Sequence, residues 1–196
     1  EKLSQVRQRS AKKFAEEICG QMKELNFLDS RFEIRISEAE KYSSNGKDEA
    51  EFYLSVNPGE PLKPLGSVAS GGEISRVMLA VKTVLADEED TPTLIFDEID
   101  TGISGITAGK VGDRLRLIGK SRQVICITHL PQIAATADHH FLIRKKAEGT
   151  SVRTDVEMLD EAASVEELAR LLGGANVTER VMESAKELKE LAKCER

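Results

Sequence analysis

The fold of this chain is decided by the stretch Thr93-Leu-Ile-Phe-Asp-Glu-Ile-Asp100, in which an apolar run leads into three acidic residues. A short, unbroken apolar run is typical of a strand that is buried on both faces. In an open parallel sheet, ligands bind beyond the carboxyl ends of such strands. Successive strand residues point to opposite faces, so Asp97 and Glu98 are expected to differ in role, one holding a metal and the other reaching a nucleophile. The alternative is a core strand that ends in a solvated acidic turn.

The segment from Ser70 to Leu85 predicts an amphipathic helix with an unusual first turn. Ser70 followed by Glu73 is a capping-box pattern, which places the helix N-terminus at Ser70. Gly71 and Gly72 then lie in the first turn, where each glycine costs about 1 kcal/mol relative to alanine. Close approach of a ligand to the backbone, at a helix end that attracts anions, is one explanation, and a flexible helix entry is the other. The apolar residues with helical spacing are Ile74, Val77, Met78, Val81 and Leu85.

A second apolar strand follows the acidic stretch after a predicted helix. Strand, helix and strand in this order predict two parallel strands joined by a right-handed crossover. Both carboxyl ends then lie at one edge of the sheet, so Asp97, Glu98 and His129 are expected to meet there. A histidine at a strand end is, by itself, more often a structural residue. The predicted elements are a turn at 101–105, a helix at about 104–117 and a strand at 122–128.

The remaining segments predict a mixed α/β chain without internal repeats. Residues 1 to about 25 carry an apolar stripe among charges, which is typical of a surface helix or of the end of a coiled coil. Residues 31–36 and 51–56 alternate like half-buried strands, with a polar loop at 43–48 between them. The other predictions are a short helix at 130–137, a hairpin formed by 139–144 and 151–156, and helices at 164–172 and 177–193.

Composition excludes several classes of protein. The net charge of -6 argues against a surface that generally coats DNA. No apolar run approaches the roughly 20 residues that span a bilayer, so we expect no membrane association. Cys19, Cys126 and Cys194 have neither zinc-site nor disulfide spacing, which indicates a reducing, cytoplasmic environment. A chain of 196 residues that starts at Glu1 is expected to be a piece of something longer.

The chain contains no phosphate-binding P-loop. Gly119-Lys120-Ser121 resembles the end of one, but Arg114 stands where the pattern requires a glycine. The segment also precedes a strand, whereas a P-loop joins a strand to a following helix.

Taken in order, these motifs resemble those of the ABC-type ATPases. Ser70-Gly-Gly-Glu73 resembles the signature loop, Leu94-Ile-Phe-Asp-Glu98 resembles the Walker B motif with its catalytic glutamate, Asp100 the D-loop, and His129 the switch histidine. Longer segments resemble the SMC-like members of this family that act in bacterial DNA repair. These segments are Asn57-Pro-Gly-Glu-Pro-Leu-Lys-Pro64, Phe96-Asp-Glu-Ile-Asp-Thr-Gly-Ile-Ser104, Thr128-His-Leu-Pro-Gln-Ile-Ala134, Ala137-Asp-His-His-Phe141 and Leu168-Ala-Arg-Leu-Leu-Gly-Gly174.

The resemblance implies ATP and Mg²⁺ as cofactors and assigns site residues. Asp97 would hold the metal, Glu98 would activate water, and His129 would contact the γ-phosphate. Ser70, Gly71, Gly72 and Glu73 of the signature loop, with Asp100, would contact ATP bound to a partner head. Arg76, one turn into the helix that follows this loop, would support either the loop or the dimer face, and the choice between the two stays open.

The resemblance also implies a domain organisation and partners. Residues 1–28 would end a coiled coil, and residues 29–196 would form the C-terminal lobe of an ATPase head, with a mostly parallel sheet flanked by helices. The partners would be the N-terminal half of the same head, which carries Walker A, a second head in an ATP-dependent dimer, and DNA. The protein would be cytoplasmic, at the bacterial nucleoid, and the isolated lobe inactive. A fragment of a transporter-type ATPase and a non-catalytic interaction module are the alternatives.

Overall fold

The computed structural model describes residues 1–67, 70–86, 90–148 and 151–194. It is a mixed α/β chain, as predicted. The helices are α1 (Lys2–Glu24), α2 (Gly71–Val84), α3 (Gly105–Gly119), α4 (Pro131–Ala134), α5 (Glu161–Gly173) and α6 (Glu179–Cys194). The strands are β1 (Arg31–Ser43), β2 (Gly46–Ser55), β3 (Lys63–Pro64), β4 (Thr93–Phe96), β5 (Gln123–Cys126), β6 (Phe141–Glu148) and β7 (Ser151–Met158). The chain forms two compact units, Glu1–Gly102 with Leu117–Ile127, and Ile103–Arg116 with Thr128–Arg196.

In the first unit, the long helix α1 buries one apolar stripe. Ile18 and Met22 are fully buried on this stripe, and α1 packs against β1 and α2. Asn26 follows the helix with a left-handed φ of 71°, and its N–H donates to the Lys23 carbonyl at 3.0 Å. Asparagine tolerates this conformation, which commonly ends helices. The helix predicted for the first 25 residues is therefore confirmed.

The antiparallel pair β1–β2 extends further than the sequence predicted. Its register runs from Arg31 opposite Ser55 to Ser43 opposite Gly46, with a shift between Glu38 and Ser43. Only residues 44 and 45 form the turn, so the polar loop expected at 43–48 was wrong at its edges. The polar residues near the tip lack the apolar alternation that marks a strand.

The parallel pair β4–β5 confirms the pairing predicted from the strand–helix–strand order. Its register runs from Thr93 opposite Gln123 to Phe96 opposite Cys126. The prediction that β4 is buried on both faces was wrong: Leu94 and Phe96 are 8% and 7% exposed, whereas Ile95 is 68% exposed. On β5 and just beyond it, Ile125 and Ile127 are also about half exposed. We call Ile95, Ile125 and Ile127 the open face.

The second unit has a small core of its own between helices. Leu168, Ala169 and Ala185 are fully buried there, together with Ala134 and Ala135 after the start of α4. Helix α5 begins as an ordinary capped helix, because Asp160 accepts a hydrogen bond from the Ala163 N–H at 2.8 Å.

The predicted hairpin is formed by β6 and β7, with Phe141 opposite Met158 and Glu148 opposite Ser151. Residues 149 and 150, between the two strands, lie outside the described residues. Among the residues that the structure describes, the pairs β1–β2, β2–β3 and β6–β7 are antiparallel and the pair β4–β5 is parallel. No helix within the described ranges has both the length and the hydropathy that are needed to cross a bilayer.

Candidate functional site

The acidic turn, residues 97–101, follows β4 directly. The Glu98 N–H donates to Asp97 Oδ1 at 2.9 Å, and the Thr101 N–H donates to the Glu98 carbonyl at 3.1 Å. Glu98 has a left-handed φ of 57°, which is uncommon for a residue other than glycine. Both carboxylate side chains are exposed. Because β4 ends at Phe96, Asp97 and Glu98 lie in the turn, and the predicted strand alternation does not reach them.

The helix start, residues Ser70–Gly72, lies against this turn. The Ser70 hydroxyl accepts from the Glu73 N–H at 3.4 Å, so the predicted cap is confirmed. A Cβ atom on Gly71 would lie 2.6 Å from Glu98 Oε2, and one on Gly72 would lie 2.7 Å from the Thr101 carbonyl oxygen. The glycines therefore permit a close approach, and the neighbour is the chain's own acidic turn. Gly71 remains exposed, whereas Gly72 is buried.

Two neighbouring side chains of α2 donate hydrogen bonds to the acidic turn. Ser75 Oγ donates to the Asp97 carbonyl at 3.0 Å. Arg76 Nη1 donates to the Ile99 carbonyl at 3.2 Å and to the Thr101 carbonyl at 2.8 Å. Two consecutive residues of α2 thus bind every second carbonyl of the acidic turn, those of residues 97, 99 and 101.

Two charged side chains, Arg76 and Asp100, are buried in this site. Arg76 is 6% exposed and Asp100 is 4% exposed. Burial lowers the pKa of Arg76, while the charges of Glu73 and Asp100 act in the opposite direction. Burial, together with the negative charges of Asp100 and Asp97, raises the pKa of Cys126 to about 12, so this thiol stays protonated at neutral pH.

The carboxyl ends of β4 and β5 lie at the same edge of their sheet. Beyond the last register pair, the Ile127 N–H donates to the Phe96 carbonyl at 3.0 Å. His129 follows two residues later and belongs to the second unit, where its side chain is exposed. There the Leu130 N–H donates to Thr128 Oγ1 at 3.0 Å, and α4 begins at Pro131, a first-turn position that suits proline.

The donor chemistry of the acidic turn fits a magnesium ion better than a transition metal. Among the described residues, no group of three or more His, Cys, Asp or Glu side chains is arranged to hold a metal. Mg²⁺ commonly binds through one or two carboxylates together with water and substrate phosphates. The exposed carboxylate of Asp97 can provide the protein's share of such a shell.

Sequence reasoning left the part of Arg76 open between the loop and the dimer face, and it did not predict the hydrogen bonds to the acidic turn. Of the predicted apolar stripe of α2, Val77 is fully buried, but Ile74, Met78, Val81 and Leu85 are only half-buried. The buried face instead contains Gly72, Arg76, Val77, Leu79 and Ala80. Gly72, Arg76 and Ala80 have the spacing i, i+4, i+8, which places them on one face of a helix. An arginine between two small residues on such a face was the signal available in the sequence.

No protein-family model matches the chain. The DNA repair protein RecN of Halalkalibacterium halodurans is 45% identical over 194 residues, which is 97% of this chain and 34% of the relative. The DNA repair protein RecN of Vibrio cholerae is 44% identical over 189 residues, covering 96% of this chain and 34% of that protein. The chain therefore spans about a third of the length of the curated relatives it matches.

Solved structures of SMC proteins have the same fold. The Smc head domain with a coiled coil and joint from Pyrococcus yayanosii matches 82% of this chain and 29% of its own, at 21% identity and a TM-score of 0.58. A structure from work on ATP-driven dimerization and DNA-stimulated activation of SMC ATPases matches 88% of this chain and 99% of its own, at 19% identity and a TM-score of 0.51. The chain is thus similar to about a third of the RecN proteins and has the fold of a part of an SMC head domain.

Proposed function

We propose that this chain is the C-terminal lobe of the head of an SMC-like ATPase that acts in DNA double-strand-break repair and recombination. The observation that carries the proposal is the contact between the helix start and the acidic turn, with Gly71 against the Glu98 carboxylate. Phosphoryl transfer depends on positioning and charge stabilisation more than on covalent chemistry. A glycine-bearing helix N-terminus beside two exposed carboxylates suits that task.

Each acidic residue has a distinct part in the proposed hydrolysis. Asp97 holds Mg²⁺, which neutralises charge on the phosphates of ATP when bound. Glu98 orients or deprotonates the attacking water, and its exposed carboxylate leaves room for that water. His129 contacts the γ-phosphate. Two exposed carboxylates and an exposed imidazole near strand ends support this assignment.

The helix start serves the ATP of a second head. Gly71 is exposed, so its backbone is accessible to a partner subunit. Ser70 contributes its hydroxyl, and the N–H groups of Gly71, Gly72 and Glu73 contribute the partial positive charge of a helix N-terminus, with that of Glu73 capped by Ser70. Asp100, in the D-loop, shapes the same surface from within. ATP then joins two heads, and its hydrolysis releases them.

The N-terminal half of the same head completes the site. This chain has no Walker A loop, so the phosphate cradle comes from that half. The open face of β4 and β5 supports such a partner, because three isoleucines are exposed on it. Residues 1–28 end the coiled coil, of which α1 forms the last 23 helical residues.

The cellular role follows from likeness to the relatives. RecN proteins are named for DNA repair, and one structural neighbour comes from work on ATP-driven dimerization and DNA-stimulated activation. In the proposed cycle, the joining and release of two heads hold or free DNA ends through the coiled coils. The protein would act in the bacterial cytoplasm, at the nucleoid.

The decisive experiment mixes this chain with the N-terminal half of its parent protein and measures ATP hydrolysis. The mixture should hydrolyse ATP, whereas neither half alone should hydrolyse it, because the cradle and the acidic turn are then apart. This chain alone should also fail to bind ATP tightly, because it lacks the cradle. A mixture that associates but stays inactive, with or without DNA, would instead favour a non-catalytic interaction module. Association with a membrane permease subunit would favour the transporter-type alternative.

A further inference from the structure

Arg76 is a buried cation that binds the backbone of the acidic turn. A buried charge is costly unless it is paired or hydrogen-bonded, and arginine keeps its charge inside proteins. Here Nη1 has two carbonyl acceptors, those of Ile99 and Thr101. Its guanidinium carbon also lies 5.4 Å from the ring centroid of Phe27, within cation–π range. The side chain is therefore held from both sides in one orientation.

The carbonyls that Arg76 binds lie immediately after Glu98. Ser75, the preceding residue of α2, binds the carbonyl of Asp97 on the other side of Glu98. Glu98 thus lies between two backbone positions that are tied to the same helix. Its left-handed backbone adds a reason for this arrangement, since an uncommon conformation persists only where the surroundings enforce it.

The same helix carries the residues proposed to contact the second head's nucleotide. Gly72 leaves no room for a side chain between α2 and the Thr101 carbonyl, so helix and turn are already at van der Waals contact. One helical turn further along α2, Arg76 adds hydrogen bonds between the helix and the acidic turn. A shift of the helix start is then transmitted directly to the turn that carries Glu98.

We propose that Arg76 is a positioning residue, which fixes the acidic turn to α2 so that Glu98 and the helix start move as one body. This inference rests on the proposed function, because it assigns Arg76 an effect on hydrolysis exerted through Glu98. ATP affinity depends mainly on the cradle in the N-terminal half, so loss of Arg76 should lower kcat and leave KM for ATP nearly unchanged. Misplacement of a reacting group by about 1 Å can cost about 100-fold in rate.

The test uses the full-length protein that contains this chain, with the variants Arg76→Met and Arg76→Lys. Methionine keeps the volume of the side chain but removes both donors, whereas lysine keeps a cation with three donors. The matched control is Arg7→Met, because Arg7 also donates to two acceptors, Asp48 Oδ2 at 2.7 Å and the Asn45 carbonyl at 2.6 Å, and neither belongs to α2 or to the acidic turn.

Hydrogen exchange measured by mass spectrometry gives a readout that does not require ATPase activity. In Arg76→Met, amides of the acidic turn should exchange about tenfold faster, as expected for the loss of hydrogen bonds from a charged donor. Arg7→Met should leave exchange in that segment unchanged and accelerate it at the hairpin tip. Unchanged exchange at residues 97–101 in a folded Arg76→Met protein would overturn the proposal.

The kinetic readout then separates positioning from simple support of the fold. Arg76→Met should lower kcat by about 10- to 100-fold with KM within about twofold, and Arg76→Lys should recover most of kcat. If Arg76→Met fails to fold, Ser75→Ala and Arg76→Lys take its place, with smaller changes in the same direction. A kcat that matches the wild type despite faster exchange would refute the inference. A wild-type protein without ATPase activity would instead refute the proposed function, while the exchange result still decides whether Arg76 fixes the turn.

Discussion

The end of strand β4 and the face of the same strand differ in how completely the chain covers them. At the end, the acidic turn is closed against α2, with Arg76 and Gly72 buried in the contact. On the face, Ile95 is 68% exposed and its register partner Ile125 is 46% exposed. Carbonyl groups of the acidic turn are thus hydrogen-bonded within this chain, whereas the apolar open face is left exposed. A packed acidic turn beside an exposed apolar sheet face is the arrangement that the proposed site, shared between two halves of a head, requires.

The open face and the contact between the acidic turn and α2 are also expected to differ in energy. Complete burial of an isoleucine side chain is worth about 1.5–3 kcal/mol, and the open face has three of them partly in water. Exposed apolar patches of this kind commonly mark interaction sites. The closed contact, by contrast, depends on hydrogen bonds and close packing that tolerate little change. Substitutions on the two sides should therefore have different effects.

The largest effect is expected from Glu98→Gln in the full-length protein. Glutamine preserves the shape of the side chain but cannot accept a proton from water, so kcat should fall by about 100- to 10,000-fold. ATP binding should persist, and ATP-dependent dimers should accumulate because release requires hydrolysis. The measurements are single-turnover ATPase rates and the molar mass in solution with ATP. Wild-type turnover in this variant would remove Glu98 from its assigned role.

The two glycines of the helix start test how tight the closed contact is. In Gly72→Ala the new methyl group meets the Thr101 carbonyl, which is backbone and cannot move aside cheaply, so the free energy of unfolding should fall by about 1–3 kcal/mol. Gly71→Ala is the matched comparison, because its methyl group meets only the end of the Glu98 side chain. There the higher helix propensity of alanine, about 1 kcal/mol, should offset the crowding.

Urea unfolding of both variants measures the difference. Equal losses of stability would show that the acidic turn is not packed against Gly72 as closely as described. A large loss in Gly71→Ala would mean that the Glu98 carboxylate cannot rotate away.

The closed contact also shows how far sequence could predict this molecule. The start of α2 was predictable because a capping box is a local signal, and the parallel pairing was predictable because connection rules constrain chirality. Burial of β4 was not, since an apolar run does not reveal whether the covering surface lies in the same chain. The long β1–β2 hairpin was missed because Arg7 of α1 stabilises its polar tip through Asp48, a contact between residues 41 positions apart.

Some residues of the candidate site were likewise predictable from the sequence, and others were not. Ser70, Asp97, Glu98 and His129 stood out because their residue types and spacing match a chemistry. The sequence left the role of Arg76 open, because its partners are backbone carbonyls, which have no signature in the sequence. Side chains that bind backbone are in general the part of a site that only coordinates reveal.

The open face should affect association more than folding. In Ile125→Thr, this chain should keep its stability within about 0.5 kcal/mol, because the side chain is already 46% exposed. Its affinity for the N-terminal half should weaken by about 1–2 kcal/mol, which is about 5- to 30-fold in Kd. Titration calorimetry with the two halves measures this change. Leu28→Thr is the control, since Leu28 is 68% exposed and lies outside the open face. Equal affinities for the two variants would place the interface elsewhere.

The smallest effect concerns a closed contact in the second unit, where a similar contrast occurs around the hairpin β6–β7. Phe141, Ile143, Val156 and Met158 are more than half exposed on one face of the hairpin, yet His140, which precedes it, is half-buried with Nδ1 2.9 Å from Ser164 Oγ.

Burial, reinforced by the charge of Lys189 on α6, lowers the pKa of His140 below its ordinary 6.5, although Glu167 on α5 acts in the opposite direction. The unfolded chain then binds the proton more readily than the folded chain. Stability contributed by neutral His140 is therefore present above pH 6.5 and is lost as the pH falls through the lowered pKa.

Thermal unfolding between about pH 7.5 and pH 5, a range that includes the ordinary histidine pKa of about 6.5, tests whether His140 causes this loss of stability. His140→Asn keeps a partner for the Ser164 hydroxyl but removes the titration, so it should flatten the fall of Tm with decreasing pH. The adjacent, exposed His139 provides the control His139→Asn, which should retain the wild-type profile. If the two asparagine variants give the same profile, the pH dependence arises elsewhere. A flattened profile in His140→Asn alone would show that even beside an open apolar face, the closed polar contact determines how the unit responds to acid.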